Sequence, residues 1–214
     1  MKLKGIKIPK QIFYILLLAI VLNILRIILF KNTTFVYMFW NIFLAFIPFF
    51  ISSILLLNTK EEKITKPFFI GGFILWLLFL PNAPYVITDF IHLGRIHGVP
   101  VMYDIFVLFS SAWASLLFGL YSLEHIEKIL LLKFSAKKTN IIIPVAILLS
   151  SFGIYLGRFL RFNSWDFFIS HNSLISNTWK IFTAPNSNIN AYTYTILFFV
   201  FTYISYASFR NIKQ

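Results

Sequence analysis

Two short stretches gather side chains able to bind or move charge. In Phe79-Leu-Pro-Asn-Ala-Pro-Tyr-Val-Ile-Thr-Asp-Phe-Ile-His-Leu93, Asp89 and His92 lie three apart, so a resumed helix places both on one face. A carboxylate beside an imidazole suits a proton relay, one edge of a metal site or an ion pair. Two ligands fix neither the ion nor its geometry, so no metal and no cofactor is expected. In Gly157-Arg-Phe-Leu-Arg-Phe-Asn-Ser-Trp-Asp166, Arg158 and Arg161 have the same spacing and on a helix share a face. Planar guanidinium donors engage two oxygens of a carboxylate or phosphate at once. The pair therefore suits an anionic headgroup. It suits equally a structural network with Asp89, Asp104 or Asp166, or snorkelling toward the lipid surface.

The elements that position these residues follow from composition. Of 214 residues, 59% are hydrophobic and 12% charged, with a mean hydropathy of +0.82; soluble domains carry about a quarter charged residues. A soluble globular enzyme is excluded. At roughly 20 apolar residues per crossing, the chain reads as an all-α, polytopic membrane bundle forming one integral domain over 1–214. Six spans are expected, at roughly 12–30, 35–57, 68–92, 103–123, 141–162 and 192–209. The first follows Lys2, Lys4, Lys7 and Lys10 but is too long for a signal peptide and lacks a small-residue cleavage site, so it stays as a span. Cysteine is absent, which removes thiolate chemistry and Cys-based metal sites.

The net charge of +12 would suggest nucleic acid in a soluble protein; here its distribution points to orientation and to membrane lipids as partners instead. Thirteen lysines and arginines fall in the two tails and alternate loops, including Lys60, Lys63, Lys66, Lys128, Lys133, Lys137, Lys138, Arg210 and Lys213. Five (Lys31, Arg95, Arg158, Arg161, Lys180) fall in the other loops, and Arg26 lies within the first span. The positive-inside rule then places both termini in the cytoplasm. All three aspartates and His92, His97 and His171 fall on the opposite side, whereas every glutamate falls inside. Glu124 to Phe134 reads as an interfacial stretch, with Ile126, Ile129 and Leu130 facing lipid and Glu127 and Lys128 facing water. The loop from Asn163 to Ala191 is expected to lie on the membrane surface, with a short helix near 173–182.

The third span is interrupted by Pro81 and Pro84. Thirteen residues from Phe68 to Leu80 cover about 20 Å of a core roughly 30 Å thick, so both prolines arrive at membrane depth. Each removes a backbone donor and biases its predecessor, Leu80 or Ala83, away from helix. Irregular backbone at that depth needs protein or a water-lined cavity around it, and broken spans line binding sites in transporters. Asn82 and Thr88 are placed to satisfy freed backbone groups. Asp104 is expected to support the amino end of the fourth span, and Ser110, Ser111, Ser150 and Ser151 read as helix-packing residues.

The two motifs quoted above resemble the bacterial membrane family catalogued as domain of unknown function 1361. The resemblance covers nearly the whole chain and implies a multispanning protein of the bacterial cytoplasmic membrane; it implies no activity. Asn82, Tyr85, Thr88, Asp89, His92, Arg158, Arg161 and Asp166 form the expected cluster at the outer boundary. Three functions remain open for it. The arginines, with Asn82, Tyr85, Thr88 and Asp166, hold an anionic lipid or lipid-linked headgroup; or Asp89 or His92 is the base of an intramembrane enzyme acting on such a substrate; or the broken span carries a small solute or ion.

Overall fold

The computed structural model of the chain describes residues 8–62, 64–94, 98–169 and 171–212. Lys2, Lys4, Lys7, Lys63, Arg95, His97 and Lys213, and the side chain of His171, lie outside what is described. The described residues are helical and include no strand, as the composition requires. In order they form α1 (Lys10–Phe30), α2 (Tyr37–Lys60), α3 (Lys66–Phe79), α4 (Asn82–Tyr85) and a 3-10 helix (Val86–His92). Next come α5 (Val101–Lys133), α6 (Ala136–Phe159), α7 (Asp166–Ile169), α8 (His171–Thr183), a second 3-10 turn (Pro185–Asn188) and α9 (Ile189–Ile212). Among them, α1, α2, the Lys66–His92 segment, α5 and α6 are long and apolar enough to cross a membrane. The protein is therefore a multi-pass membrane protein. A helix, α9, occupies the expected sixth span, but it is not among those apolar enough to cross, because Asn190, Tyr192, Thr193, Tyr194 and Thr195 crowd its first two turns.

The chain divides into two compact units, residues 1–139 and 140–214. In the first, α5 is the central element. At 1.5 Å per residue its 33 residues run about 50 Å, and α1, α2, α4 and the first 3-10 helix all pack on it. This corrects one expectation: Ile126, Ile129 and Leu130 do not face lipid. The helix also continues ten residues past 123, where the fourth span is expected to end. Ile126 and Ile129 are fully buried, Leu130 nearly so, and Glu127 is buried as well. Leu123, Ile126 and Leu130 continue at helical spacing the buried side of α5 that runs up through Leu116 and Leu120. Read alone, the stretch resembles a surface helix because Glu124 and Lys128 do form an outward pair, at 2.6 Å.

The third span also departs from expectation. Leu80 and Pro81 both keep helical backbone angles (φ −53°, ψ −39° and φ −54°, ψ −32°), and Ala83 lies within α4. The chain passes through both prolines by tightening rather than unwinding. The Ala83 amide bonds three residues back to the Leu80 carbonyl at 3.2 Å. The Asn82 side-chain amide donates to the Phe79 carbonyl at 2.9 Å, and the Thr88 hydroxyl donates to the Tyr85 carbonyl at 2.7 Å. Both residues thus serve backbone carbonyls around the break, as the sequence suggested, and the cost of the prolines is largely offset within the segment.

Close approach to α5 explains why the break is tolerated. A Cβ built on Gly119 would lie 2.8 Å from the Ala83 Cβ, so α4 and α5 meet nearly backbone to backbone. Small residues allow such contact, which is the usual basis of helix packing in membranes. Above and below it, Trp76, Leu80 and Val86 are buried and apolar, and the Trp76 indole donates to the Ser122 hydroxyl at 3.2 Å. Gly119→Ala should therefore lower stability by about 1–3 kcal/mol through overpacking. Adding Ala83→Gly should return much of that loss. Thermal unfolding of both variants in detergent checks this, and independent, additive losses would show that the two positions do not meet.

Candidate functional site

In the first unit a buried arginine and a buried aspartate are matched to each other. Arg26, near the end of α1, is 1% exposed, and Asp104, in the first turn of α5, is 2% exposed. Arg26 Nε donates to Asp104 Oδ1 at 2.7 Å, with a longer bond from its terminal nitrogen to Oδ2 at 3.4 Å. Its other terminal nitrogen donates to the Asn32 side-chain oxygen at 2.8 Å and to the Asn32 carbonyl at 3.1 Å, and its guanidinium carbon sits 4.3 Å from the Phe35 ring centre. Asp104 keeps the expected place in the first turn of α5, where a carboxylate suits the helix dipole, but its side chain makes no cap. Desolvated charge costs several kcal/mol unless it is paired, and Arg26 meets that need with a carboxylate, an amide and an aromatic face. Seven residues further along α5, Ser111 accepts a bond from Asn23 of α1 at 3.3 Å, so one face of α5 holds α1 by two polar contacts.

The Asp89 and His92 pair lies on the first 3-10 helix, where residues three apart eclipse one another. The expected shared face is therefore present, in a tighter helix than anticipated. Asp89 is 1% exposed, and its Oδ2 accepts from the Asn41 amide of α2 at 2.8 Å. His92 is half-buried, with its ring edge-on to Tyr37 at 6.0 Å between centres. Thr88 is buried beside them, whereas Asn82 and Tyr85 are half-buried one to two turns earlier. Val86 on the same helix joins Phe35, Met38, Val107, Leu108 and Ala112 in an apolar cluster. The pair thus sits at a packed joint between α2 and α5. No group of three potential metal-binding side chains occurs among the described residues.

The arginine motif belongs to the second unit and differs from its expected form. Helix α6 ends at Phe159, so Arg158 and Arg161 do not share a helical face. Arg158 is half-buried in the last turn, while Arg161 is exposed and has left-handed backbone (φ 59°). The turn is closed by the Phe162 amide bonding to the Leu156 carbonyl at 3.1 Å. Asp166 holds the next turn, its Oδ2 accepting from the Asn163 amide at 2.6 Å.

Arg161 and Asp166 then line one open cleft of about 330 Å³ with Leu160, Phe162, Ser173 and Asn177. Among the described residues Arg161 and Asp166 form no ion pair, and Arg161 makes no hydrogen bond. The cleft can present to an anion the Arg161 donors, the Ser173 hydroxyl and part of the Asn177 amide, which also donates to the Ser173 carbonyl at 2.9 Å.

Of the eight residues expected to cluster, five lie together on one continuous segment of the first unit, and Arg161 and Asp166 meet in the cleft of the second. Sequence reasoning missed Arg26, Asn32 and Asn41 as partners of charge, and Ser173 and Asn177 as cleft residues. A signal for the first existed. Arg26 is about 6 Å before the end of α1 and Asp104 about 4.5 Å after the start of α5, so the two are at matching depth if the helices are antiparallel. Ser173 and Asn177 are ordinary polar residues on a loop, and nothing in their type singles them out.

Helical architecture and these sites define a polytopic membrane protein with internal ion pairing. More specifically, the chain belongs to the family described as protein of unknown function (DUF1361), whose sequence profile matches residues 40–205. No curated protein and no solved structure matches it. Arg26 lies before the matched segment and Asp104 within it.

The buried pair makes a sharp prediction. Arg26→Ala or Asp104→Ala alone should each cost about 3–5 kcal/mol, because the remaining charge is stranded, whereas replacing both with apolar residues of similar volume should restore most of that stability. Thermal unfolding of Arg26→Met, Asp104→Leu and the double variant in detergent distinguishes this from an unpaired arginine, for which the double change would bring no recovery.

Proposed function

We propose that this protein, resident in a bacterial cytoplasmic membrane with both termini in the cytoplasm, binds an anionic lipid or lipid-linked headgroup through the Arg161 cleft. One observation carries the reading: Arg161 is an exposed guanidinium without an ion pair among the described residues, set in a cleft whose other polar groups include a hydroxyl and an amide. Guanidinium is the side chain best matched to two phosphate oxygens. Asp166 shares the lining but is engaged by the Asn163 amide, which reduces its repulsion of an incoming anion. Arg158, Asn82, Tyr85 and Thr88 drop out of the direct binding set in this reading. Arg158 is half-buried, and Asn82 and Thr88 each donate to a backbone carbonyl of their own segment.

The alternatives have less support. An intramembrane enzyme using Asp89 as base would need that carboxylate open to substrate, yet it is 1% exposed and bonded to Asn41. Transport through the third span would need a polar cavity at the prolines, where instead Ala83 closes on Gly119 among buried apolar side chains.

Hydrogen bonds to a charged group are worth about 1.5–3 kcal/mol, so Arg161→Ala should weaken headgroup binding by roughly 10- to 100-fold. Native mass spectrometry of the detergent-extracted protein, titrated with phosphatidylglycerol, reads this directly. Equal lipid retention by wild type and Arg161→Ala would remove the cleft from consideration.

A further inference from the structure

Helix α8 has three distinct sides. Leu174, Asn177, Thr178 and Ile181 recur at helical spacing and are buried or half-buried. Ile181 packs with Tyr155 of α6 and Ala191 of α9 in an apolar cluster, and its carbonyl accepts from the Tyr192 hydroxyl at 3.0 Å. A second stripe, Ile175, Trp179 and Phe182, is 60%, 68% and 58% exposed. The third side carries Asn172, Ser173, Ser176, Lys180 and Thr183, all exposed. At 100° per residue the apolar stripe spans roughly 60° of the helix, between the packed side and the polar side.

The packed side also fixes where α8 lies along its neighbours. Tyr155 is in the last turns of α6 and Ala191 in the first turn of α9, so α8 rests against the ends of these two helices. Since α6 is apolar enough to span, its end marks the boundary between hydrocarbon and headgroups. A lipid interface is the medium that favours an exposed Ile, Trp and Phe at that level, and tryptophan in particular concentrates at membrane interfaces. Three side chains of this size present at most about 400 Å², well short of the roughly 800 Å² per partner of a stable protein interface.

We propose that α8 is an in-plane helix that docks on the lipid surface through Ile175, Trp179 and Phe182, keeping its polar side in water. This goes beyond the headgroup reading and stands without it. It also orients the cleft: Ser173 and Asn177 lie roughly 150–190° round the helix from the apolar stripe, so the part of the cleft they line opens on the aqueous side of α8. A ligand would then enter from above the membrane surface and not from between the acyl chains.

The chain has no cysteine, so single-cysteine variants need no altered background. Nitroxide labels at positions 175, 179 and 182, and at 173, 176 and 180, are read in the full-length protein in phosphatidylcholine–phosphatidylglycerol vesicles against oxygen and a water-soluble nickel chelate. Docking predicts that the first set favours oxygen and the second the chelate, with the ratio reversing along the helix. Chelate access at 175, 179 and 182 equal to that at 173 and 176 would overturn it, placing the stripe in water. Exclusion of both reagents from the stripe would overturn it too, placing a second copy of the chain or another protein there. All six sites are exposed and leave the packed side intact. Loss of anion binding at Arg161 would leave this result untouched.

Discussion

A charge that leaves water must find its counterpart, and in this protein that constraint ties the first unit together. Arg26 is almost wholly buried, with Asp104, Asn32 and Phe35 around its guanidinium. Its partners come from the chain after α1 and from the start of α5, so satisfying one cation brings together the end of one helix, the following turn and the start of the central helix. Asn32 contributes further by accepting from the Thr34 amide and hydroxyl at 3.0 and 2.7 Å, which shapes the turn into α2. Buried ion pairs contribute little net stability compared with apolar packing. What this one contributes is register: α1 is held to α5 at one depth, and the Asn23 to Ser111 bond adds a second tie, about one turn back along α1 and two turns on along α5.

The second constraint is the backbone itself. Two prolines within a span remove donors where no water is available to replace them. The segment answers with a three-residue backbone bond at Ala83, side-chain bonds from Asn82 and Thr88, and a run of 3-10 helix. Those devices leave Asp89 and His92 on a narrow, eclipsed face packed between α2 and α5. Their depth and packing follow from the way the break is healed, so a structural role accounts for their position without a ligand.

Much of this was legible in the sequence, for physical reasons that also explain the exceptions. Long apolar runs can only be helices in a membrane, so the all-α class, the first five spans and the short loop helix near 173–182 emerge from hydropathy and length. The proline break and its healing residues were readable because proline and Asn/Thr have fixed backbone chemistry. Three features were not. The burial of Ile126, Ile129 and Leu130 is hidden because Glu124 and Lys128 look like a water-facing pair whether the opposite side meets lipid or protein. Arg158 and Arg161 do not share a face, because spacing implies one only while the helix lasts, and it stops at Phe159. The pairing of Asp104 with Arg26 is hidden because the two are 78 residues apart, beyond any local pattern.

The two units carry charge differently. In the first, Arg26 is paired with Asp104 and Asp89 is bonded to Asn41, both deeply buried; in the second, Arg161 stands exposed in a cleft beside an amphipathic helix. Ligand binding is thus proposed to lie at Arg161, while the buried charges serve architecture. A cryo-electron microscopy map of the protein in nanodiscs containing phosphatidylglycerol tests that division most directly. Headgroup binding at Arg161 predicts phosphate density within bidentate reach of its guanidinium and uninterrupted protein packing around Arg26 and Asp104. An empty Arg161 cleft, with headgroup density instead at Asp89, His92 or Arg26, would contradict it.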